Sequence, residues 1–404
     1  MEAHSNRVFG LDCLRALAIA SVVLAHASLA NNLADTTAHL VPAVAPYIGW
    51  FGLLWHGGFV GVELFFVLSG YLIGRILLRT IAQTAQGPSL FLFYCRRWFR
   101  TLPLFWLFVA LNVVFEASLH HRGIGLGEAL GHAFFLRNFA SISLTFMPES
   151  WSLAVEEWFY LLFPAALWLA LRVMRGAVDW AFLLCAAAFF LLAVVTRTLG
   201  ATHPGAAWEG AQRCVVLYRF DALMMGVLAA WISVRQPAAW RRHARAAAWL
   251  GGALFVACYA NLWHFSRSGV ASAPESFFAE TFRFDFFSLS FALLLPLASR
   301  WTPTRETRWH GGVRKIALWS YALYLIHWPL FQIADIPLFK AWAGTWDTAA
   351  ALFLVKVAVA VGLSAAFFYL YESPCTRLRE KIPFLLGTAA APGPASVADR
   401  PPAS

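Results

Sequence analysis

The chain has 404 residues, of which 60% are hydrophobic and only 13% are charged. Soluble domains carry about 25% charged residues, so this composition excludes an ordinary soluble protein and predicts an all-α, polytopic integral membrane protein. The net charge of +10 does not indicate nucleic-acid binding, because Lys and Arg lie in short clusters between apolar runs. The six cysteines are scattered singly without metal-site spacing, and we expect no bound metal.

Ten apolar stretches are long enough to cross a bilayer. They cover residues 11–30, 54–78, 102–118, 151–172, 179–196, 215–234, 247–264, 283–300, 315–335 and 349–371. Basic clusters occupy alternate loops between these stretches, which predicts about ten transmembrane helices with both termini in the cytoplasm. We therefore expect a multi-pass membrane protein.

Other segments are shorter or more polar than these stretches. The segment 126–139 is apolar but contains Glu128, His132 and Arg137, which favours a surface or re-entrant position. The last residues are rich in Pro, Ala and Ser, so we expect a transmembrane domain over 1–383 and a disordered cytoplasmic tail over 384–404.

Arg15 and His26 are the most unusual residues of the first apolar stretch. A central Arg costs roughly 2.5–3.5 kcal/mol on insertion scales, so such a residue usually has a function or a partner. The eleven-residue spacing puts the two side chains on nearly one helix face, ~16 Å apart along the axis. His26 either forms an interhelical hydrogen bond or acts as a proton acceptor; the spacing to Arg15 favours the second interpretation.

The second and third stretches carry further polar residues. The segment GGFVGVELFFVLSGYLIG at 57–74 contains Glu63, Ser69 and Tyr71, and its glycines are best explained by helix packing. The segment FYCRRWFRTLP at 93–103 places Arg97 and Arg100 on one helix face at the cytoplasmic edge. These guanidinium groups either set the topology or contact an anionic group such as a phosphate.

Three later segments also contain chemistry-bearing residues. ESWSLAVEEWFYLLFP at 149–164 begins with Trp151 close to three carboxylates, YRFDALMMG at 218–226 opens a helix, and SYALYLIHWPLF at 320–331 contains His327. Carboxylates in this setting can orient a histidine, bind a sugar hydroxyl or neutralise a buried Arg, and spacing does not choose among these roles. The segment YRFDALMMG is weakly similar to FRFDFFSLS at 282–290, which is a weak internal similarity within the chain.

Taken in order, these six segments resemble the membrane-bound acyltransferase-3 family over about residues 8–380. The family's R-x10-H pattern falls on Arg15 and His26, and its RxxR pattern falls on Arg97 and Arg100. The resemblance implies an O-acyltransferase that moves an acyl group, usually acetyl, from cytoplasmic acyl-CoA to a carbohydrate hydroxyl. The acceptor would be a surface polysaccharide, a lipid-linked glycan or a glycoside.

From this resemblance we assign expected roles. The expected catalytic residues are His26 as general base, with Glu63 and Glu156. The expected residues for the acyl-CoA co-substrate, which is not a permanently bound cofactor, are Arg15, Arg97, Arg100, Ser69 and Tyr71. The expected substrate-binding residues are Trp151, Glu157, Tyr160, Arg219, Asp221 and His327.

Two questions stay open at this stage. His26 either takes a proton from the acceptor or carries the acyl group covalently. A transporter or flippase of a glycan or small molecule would share the buried charges and the loop pattern, but it would not depend on acyl-CoA. The acceptor and the oligomeric state are not readable from the sequence.

Overall fold

The computed structural model describes residues 8–30, 48–83, 90–141, 146–201, 212–268, 276–333 and 346–378. Within these ranges the chain is helical and contains no strand, which confirms the all-α prediction. The predicted tail at 384–404 lies outside the described residues.

Each of the ten predicted stretches coincides with a long helix. The helices are α1 Phe9–Ala30, α2 Ile48–Gln83, α3 Leu90–Leu119, α4 Trp151–Val173, α5 Val178–Ala201, α6 Phe220–Arg235, α7 Ala244–Ser268, α8 Ser276–Ala298, α9 Arg308–Ile333 and α10 Trp346–Phe367. Short helices cover Leu126–Ala133, Pro237–Arg242 and Ser373–Leu378, and a π-helical turn covers Phe368–Glu372.

Eight helices of the described ranges are long and apolar enough to cross a membrane. The two long helices outside this set are α6 and α7. Helix α6 has 16 residues and is about 24 Å long at 1.5 Å per residue, which is less than the ~30 Å hydrocarbon core. The polytopic membrane class is confirmed, although α6 is shorter than a full span.

The predicted surface or re-entrant segment after α3 begins with the short helix Leu126–Ala133. Most of its side chains are at least partly exposed, whereas His132 is buried and lies 3.3 Å from the Ser150 hydroxyl. Burial, together with the positive charge of Arg137, lowers the pKa of His132 to about 4. His132 is therefore neutral at neutral pH.

Helix α2 lies at the centre of the fold, where it packs on both α1 and α6. The contact with α6 is a backbone contact at two glycines. A Cβ atom at Gly70 would overlap the carbonyl oxygen of Leu223, and one at Gly226 would overlap that of Val67. The packing interpretation of the α2 glycines therefore agrees with the observed geometry, since only residues without a side chain permit this approach.

Replacing Gly226 tests this backbone contact. Gly226→Ala should destabilise the protein by about 1–3 kcal/mol, because a methyl group at this position forces α2 and α6 apart. The matched control is Gly252→Ala in α7, where a Cβ meets nothing within 4 Å and the change should be neutral or stabilising by up to ~1 kcal/mol. Thermal unfolding in detergent measures both; equal midpoints for the two variants would contradict the prediction.

Candidate active site

A cavity opens between α1, α2, α3, α4 and α9. Its polar lining consists of Arg15, Ser69, Arg97, Arg100, Thr101, Ser152, Glu156, Glu157, Ser320, Tyr321 and Tyr324. Val62, Phe65, Phe66, Leu72 and Leu153 form its apolar wall. Six predicted site residues from four separate segments thus meet in one cavity.

One side of the cavity carries the three arginines. Arg100 is exposed, whereas Arg97 is half-buried and its guanidinium lies 3.9 Å from the centroid of the Tyr160 ring. Arg15 is also half-buried, and its Nη1 lies 3.9 Å from a carboxylate oxygen of Asp12. Arg15 therefore faces the cavity and has an acidic neighbour one helical turn earlier in α1.

The carboxylates of the cavity come from the first turns of α4. This helix follows a 3₁₀ turn over Pro148–Ser150, whose Pro at the first position suits a helix start. The Ser69 hydroxyl donates a hydrogen bond to Glu156, which links α2 to α4 across the cavity. Tyr160, on the same face of α4, is 1% exposed beneath Arg97. Polar groups of α2, α3 and α4 thus stabilise one another around the cavity.

The opposite side of the cavity is closed by a hydroxyl pair. Ser152 Oγ and Tyr324 Oη are 2.6 Å apart, and the Tyr324 hydroxyl also donates to the backbone oxygen of Glu149 over 2.9 Å. The centroid of the Tyr324 ring lies 5.5 Å from that of His327. Tyr324 therefore connects the cavity lining to His327, whereas neither His327 nor His26 is itself part of that lining.

His26 and His327 form a pair directly beyond Tyr324. The Nδ1 atom of His26 is 2.9 Å from Nε2 of His327, and the two rings stack at an angle of 14°. Trp328 packs edge-on against His26 with ring centroids 5.1 Å apart. His327 is fully buried and His26 is partly exposed. The residue predicted to bind substrate is thus the hydrogen-bond partner of the predicted base.

Neither carboxylate that was expected to orient His26 is hydrogen-bonded to it. Glu156 accepts from Ser69 inside the cavity. Glu63 lies on another face of α2, where it is 1% exposed and accepts hydrogen bonds from Arg219 and from the Ser288 hydroxyl at 3.1 Å. In the structure, the group in contact with His26 is another imidazole.

Glu63, Arg219 and Asp221 belong to a buried ion network outside the cavity. Arg219 Nε lies 3.7 Å from Asp221 Oδ1. Arg197 binds Asp221 through Nη1 and Asp285 through Nη2, each over 2.6 Å. Through these contacts the network connects α2, α5, α6 and α8.

Sequence reasoning missed Arg197 and Asp285 as members of this network. The sequence feature that could have identified them is the weak internal similarity between residues 218–226 and 282–290. Each of these segments contains a Phe-Asp dipeptide, and the two aspartates, Asp221 and Asp285, bind the same guanidinium group of Arg197. The internal similarity therefore corresponds to a shared ion-pair contact with Arg197.

Tyr71 and Trp151 also lie outside the cavity. Tyr71 is fully buried, accepts a hydrogen bond from Arg75 over 3.0 Å and stacks on Trp240. Trp151 is 5% exposed, and the Arg213 guanidinium lies 5.1 Å from its ring centroid. The cation of this pair, Arg213, also lies close enough to His26 and Tyr324 to interact with them electrostatically.

Removing one charge of the network should destabilise the protein strongly. Glu63→Gln leaves the buried Arg219 without its carboxylate partner in α2, a loss of about 3–5 kcal/mol for a buried pair. Glu306→Gln is the control, because Glu306 pairs with Arg314 at the surface, where such a pair contributes at most ~1 kcal/mol. Thermal unfolding of both variants measures the difference, and a Glu63→Gln protein as stable as Glu306→Gln would refute the role of the network.

Comparison with known proteins identifies the family of this chain. The family of acyltransferase domains (Acyl_transf_3) matches residues 8–366, so the chain belongs to this family. Its members are acyltransferases, and the resemblance stated from the six motifs is confirmed.

Two named proteins are similar in sequence to part of this chain. A peptidoglycan O-acetyltransferase of Listeria monocytogenes is 35% identical over 133 residues, which are 30% of this chain and 21% of the relative. The Bacillus subtilis protein YrhL, provisionally named a peptidoglycan O-acetyltransferase, is 32% identical over 192 residues, or 43% of this chain and 26% of the relative. The matched region thus spans about a quarter of the length of these relatives. No solved structure matches the chain significantly.

Proposed function

We propose that this protein is a membrane O-acetyltransferase that uses acetyl-CoA as donor and a carbohydrate hydroxyl as acceptor. The observation that carries the proposal is the cavity, which is lined by three guanidinium groups and by Tyr324, whose ring contacts His327 of the His26–His327 pair. The names of the relatives support acetyl as the group and a glycan as the acceptor class. The acceptor is a surface polysaccharide, a lipid-linked glycan or another glycoside.

The donor enters from the arginine side, which is the side predicted to be cytoplasmic. Arg100 is the most exposed of the three arginine residues, and guanidinium groups bind phosphate oxygens bidentately. Glu156 and Glu157 lie deeper and partly compensate Arg97. Three guanidinium groups and two carboxylates therefore line the cavity, while Asp12 lies beside Arg15 outside this lining. The guanidinium groups that face the cavity can bind an anion such as the phosphates of coenzyme A.

The chemical step takes place at His26. Arg15 and His26 are ~16 Å apart along α1, a distance that the extended pantetheine arm of coenzyme A can bridge. His26 accepts the proton of the acceptor hydroxyl as the oxygen attacks the thioester carbonyl carbon. The new C–O bond forms, the C–S bond breaks, and the imidazolium returns the proton to the departing thiolate.

Replacing His26 tests the reaction. His26→Ala should lower the transfer of radiolabelled acetyl from acetyl-CoA to a glycan acceptor by about 10²- to 10⁴-fold, the usual contribution of a general base. His243→Ala is the control, because His243 is exposed and distant in sequence from the cavity helices. Absence of label transfer by the wild-type protein with every glycan class would reject the proposal in favour of a transporter or flippase.

Replacing Arg100 tests the donor side. Arg100→Gln should raise the KM for acetyl-CoA about tenfold or more with a smaller change in kcat, since charge-assisted hydrogen bonds contribute ~1.5–3 kcal/mol. Arg79→Gln is the control, because Arg79 is exposed on the same predicted side but does not line the cavity. An unchanged KM in Arg100→Gln, or the same increase in both variants, would contradict this assignment.

A further inference from the structure

The hydrogen bonds around His327 run in one direction. Nδ1 of His327 lies 3.2 Å from the backbone oxygen of Leu323, one helical turn earlier in α9. A carbonyl oxygen only accepts hydrogen bonds, so Nδ1 of His327 carries the proton in this contact. Because His327 is fully buried, and burying an unpaired charge is costly, its ring is neutral and Nε2 holds a lone pair.

This arrangement determines the tautomer of His26. Nε2 of His327 is an acceptor, so the proton in the 2.9 Å contact belongs to Nδ1 of His26. The lone pair of His26 is then on Nε2, which has no hydrogen-bond partner among the described residues, and the His26 residue is partly exposed. The chain of donors and acceptors thus leaves the base nitrogen available for an incoming hydroxyl.

We propose that His327 is a positioning residue that holds His26 as its Nδ1–H tautomer, with Nε2 directed to the acceptor hydroxyl. This inference rests on the proposed function, in which His26 is the base, and it adds how the base is prepared. The rings stack with centroids 5.0 Å apart, and Trp328 closes another side of His26, so rotation of the imidazole is restricted. The orienting group is neutral, as the apolar surroundings require.

Two similar amide variants separate the acceptor function of His327 from its packing. The amide of Asn occupies the position of Nδ1, so His327→Asn keeps a donor for Leu323 and loses the acceptor for His26. The longer Gln side chain reaches the position of Nε2, so His327→Gln supplies an oxygen acceptor for His26. Both variants are tested as the full-length protein in lipid nanodiscs.

The kinetic arm measures acetyl transfer and release of coenzyme A. We expect kcat to fall about 10²- to 10⁴-fold in His327→Asn with little change in the KM for acetyl-CoA, as for a base held in the wrong tautomer. His327→Gln should retain activity within about tenfold of the wild type. Equal losses in the two variants, or no loss in His327→Asn, would overturn the proposal.

The spectroscopic arm does not depend on activity. ¹⁵N spectra of histidine-labelled protein show which ring nitrogen carries the proton, and subtraction of a His26→Gln spectrum assigns the signal among the 12 histidines. We expect Nδ1–H for His26 in the wild type and a shift towards Nε2–H in His327→Asn. An Nε2–H tautomer in the wild type would reject the role of His327 even if acetyl transfer is found, whereas Nδ1–H in a protein without transferase activity would reject only the proposed function.

Discussion

The pairing of polar groups inside an apolar surrounding is the constraint on which the rest of this structure depends. A hydrocarbon environment offers no water to ionised side chains, so buried charges find partners within the protein or face a polar cavity. The network of Arg197, Arg219, Glu63, Asp221 and Asp285 meets this requirement through direct contacts between four helices. Breaking it exposes a charge to a medium that does not solvate it, which is why the helices stay in one arrangement.

The polar residues thereby divide into two groups with different consequences. In the ion network two guanidinium groups face three carboxylates, all buried, and little charge remains for a ligand. In the cavity three guanidinium groups face two carboxylates, and Arg100 is exposed. The closed group stabilises the fold, whereas the open group presents guanidinium groups to the cavity, where the proposed anionic donor would bind.

The helices could be predicted from sequence because hydrophobic length is a local property. All ten predicted stretches have a matching helix, because apolar runs in a membrane chain leave few alternatives to helix. The ends differ by up to 12 residues, the largest difference being at α3, which begins at Leu90 and not at residue 102. The length of α6 was overestimated, since the predicted stretch at 215–234 includes the 3₁₀ turn Val216–Tyr218.

The grouping of the site residues was less predictable. Val62, Phe66 and Ser69 lie on the cavity face of α2, while Glu63 lies on another face. The span containing these residues is largely buried within the protein, so its hydrophobic pattern does not identify which face lines a cavity. The contact of His26 with His327 joins residues 301 positions apart, and no local spacing reports it.

The proposed neutral state of His327 determines how a positive charge on His26 is stabilised during the proposed reaction. A carboxylate next to His26 would stabilise the imidazolium more strongly, but it would itself need a cation in these surroundings. Glu63 and Glu156, the carboxylates predicted to be catalytic with His26, have other hydrogen-bond partners. With His327 as partner, protonation of Nε2 strengthens the existing hydrogen bond from Nδ1, because charge-assisted hydrogen bonds are stronger than neutral ones. The positive charge is then shared along imidazole, imidazole and backbone carbonyl. Such a chain stabilises a transient imidazolium without requiring a permanent buried charge beside it.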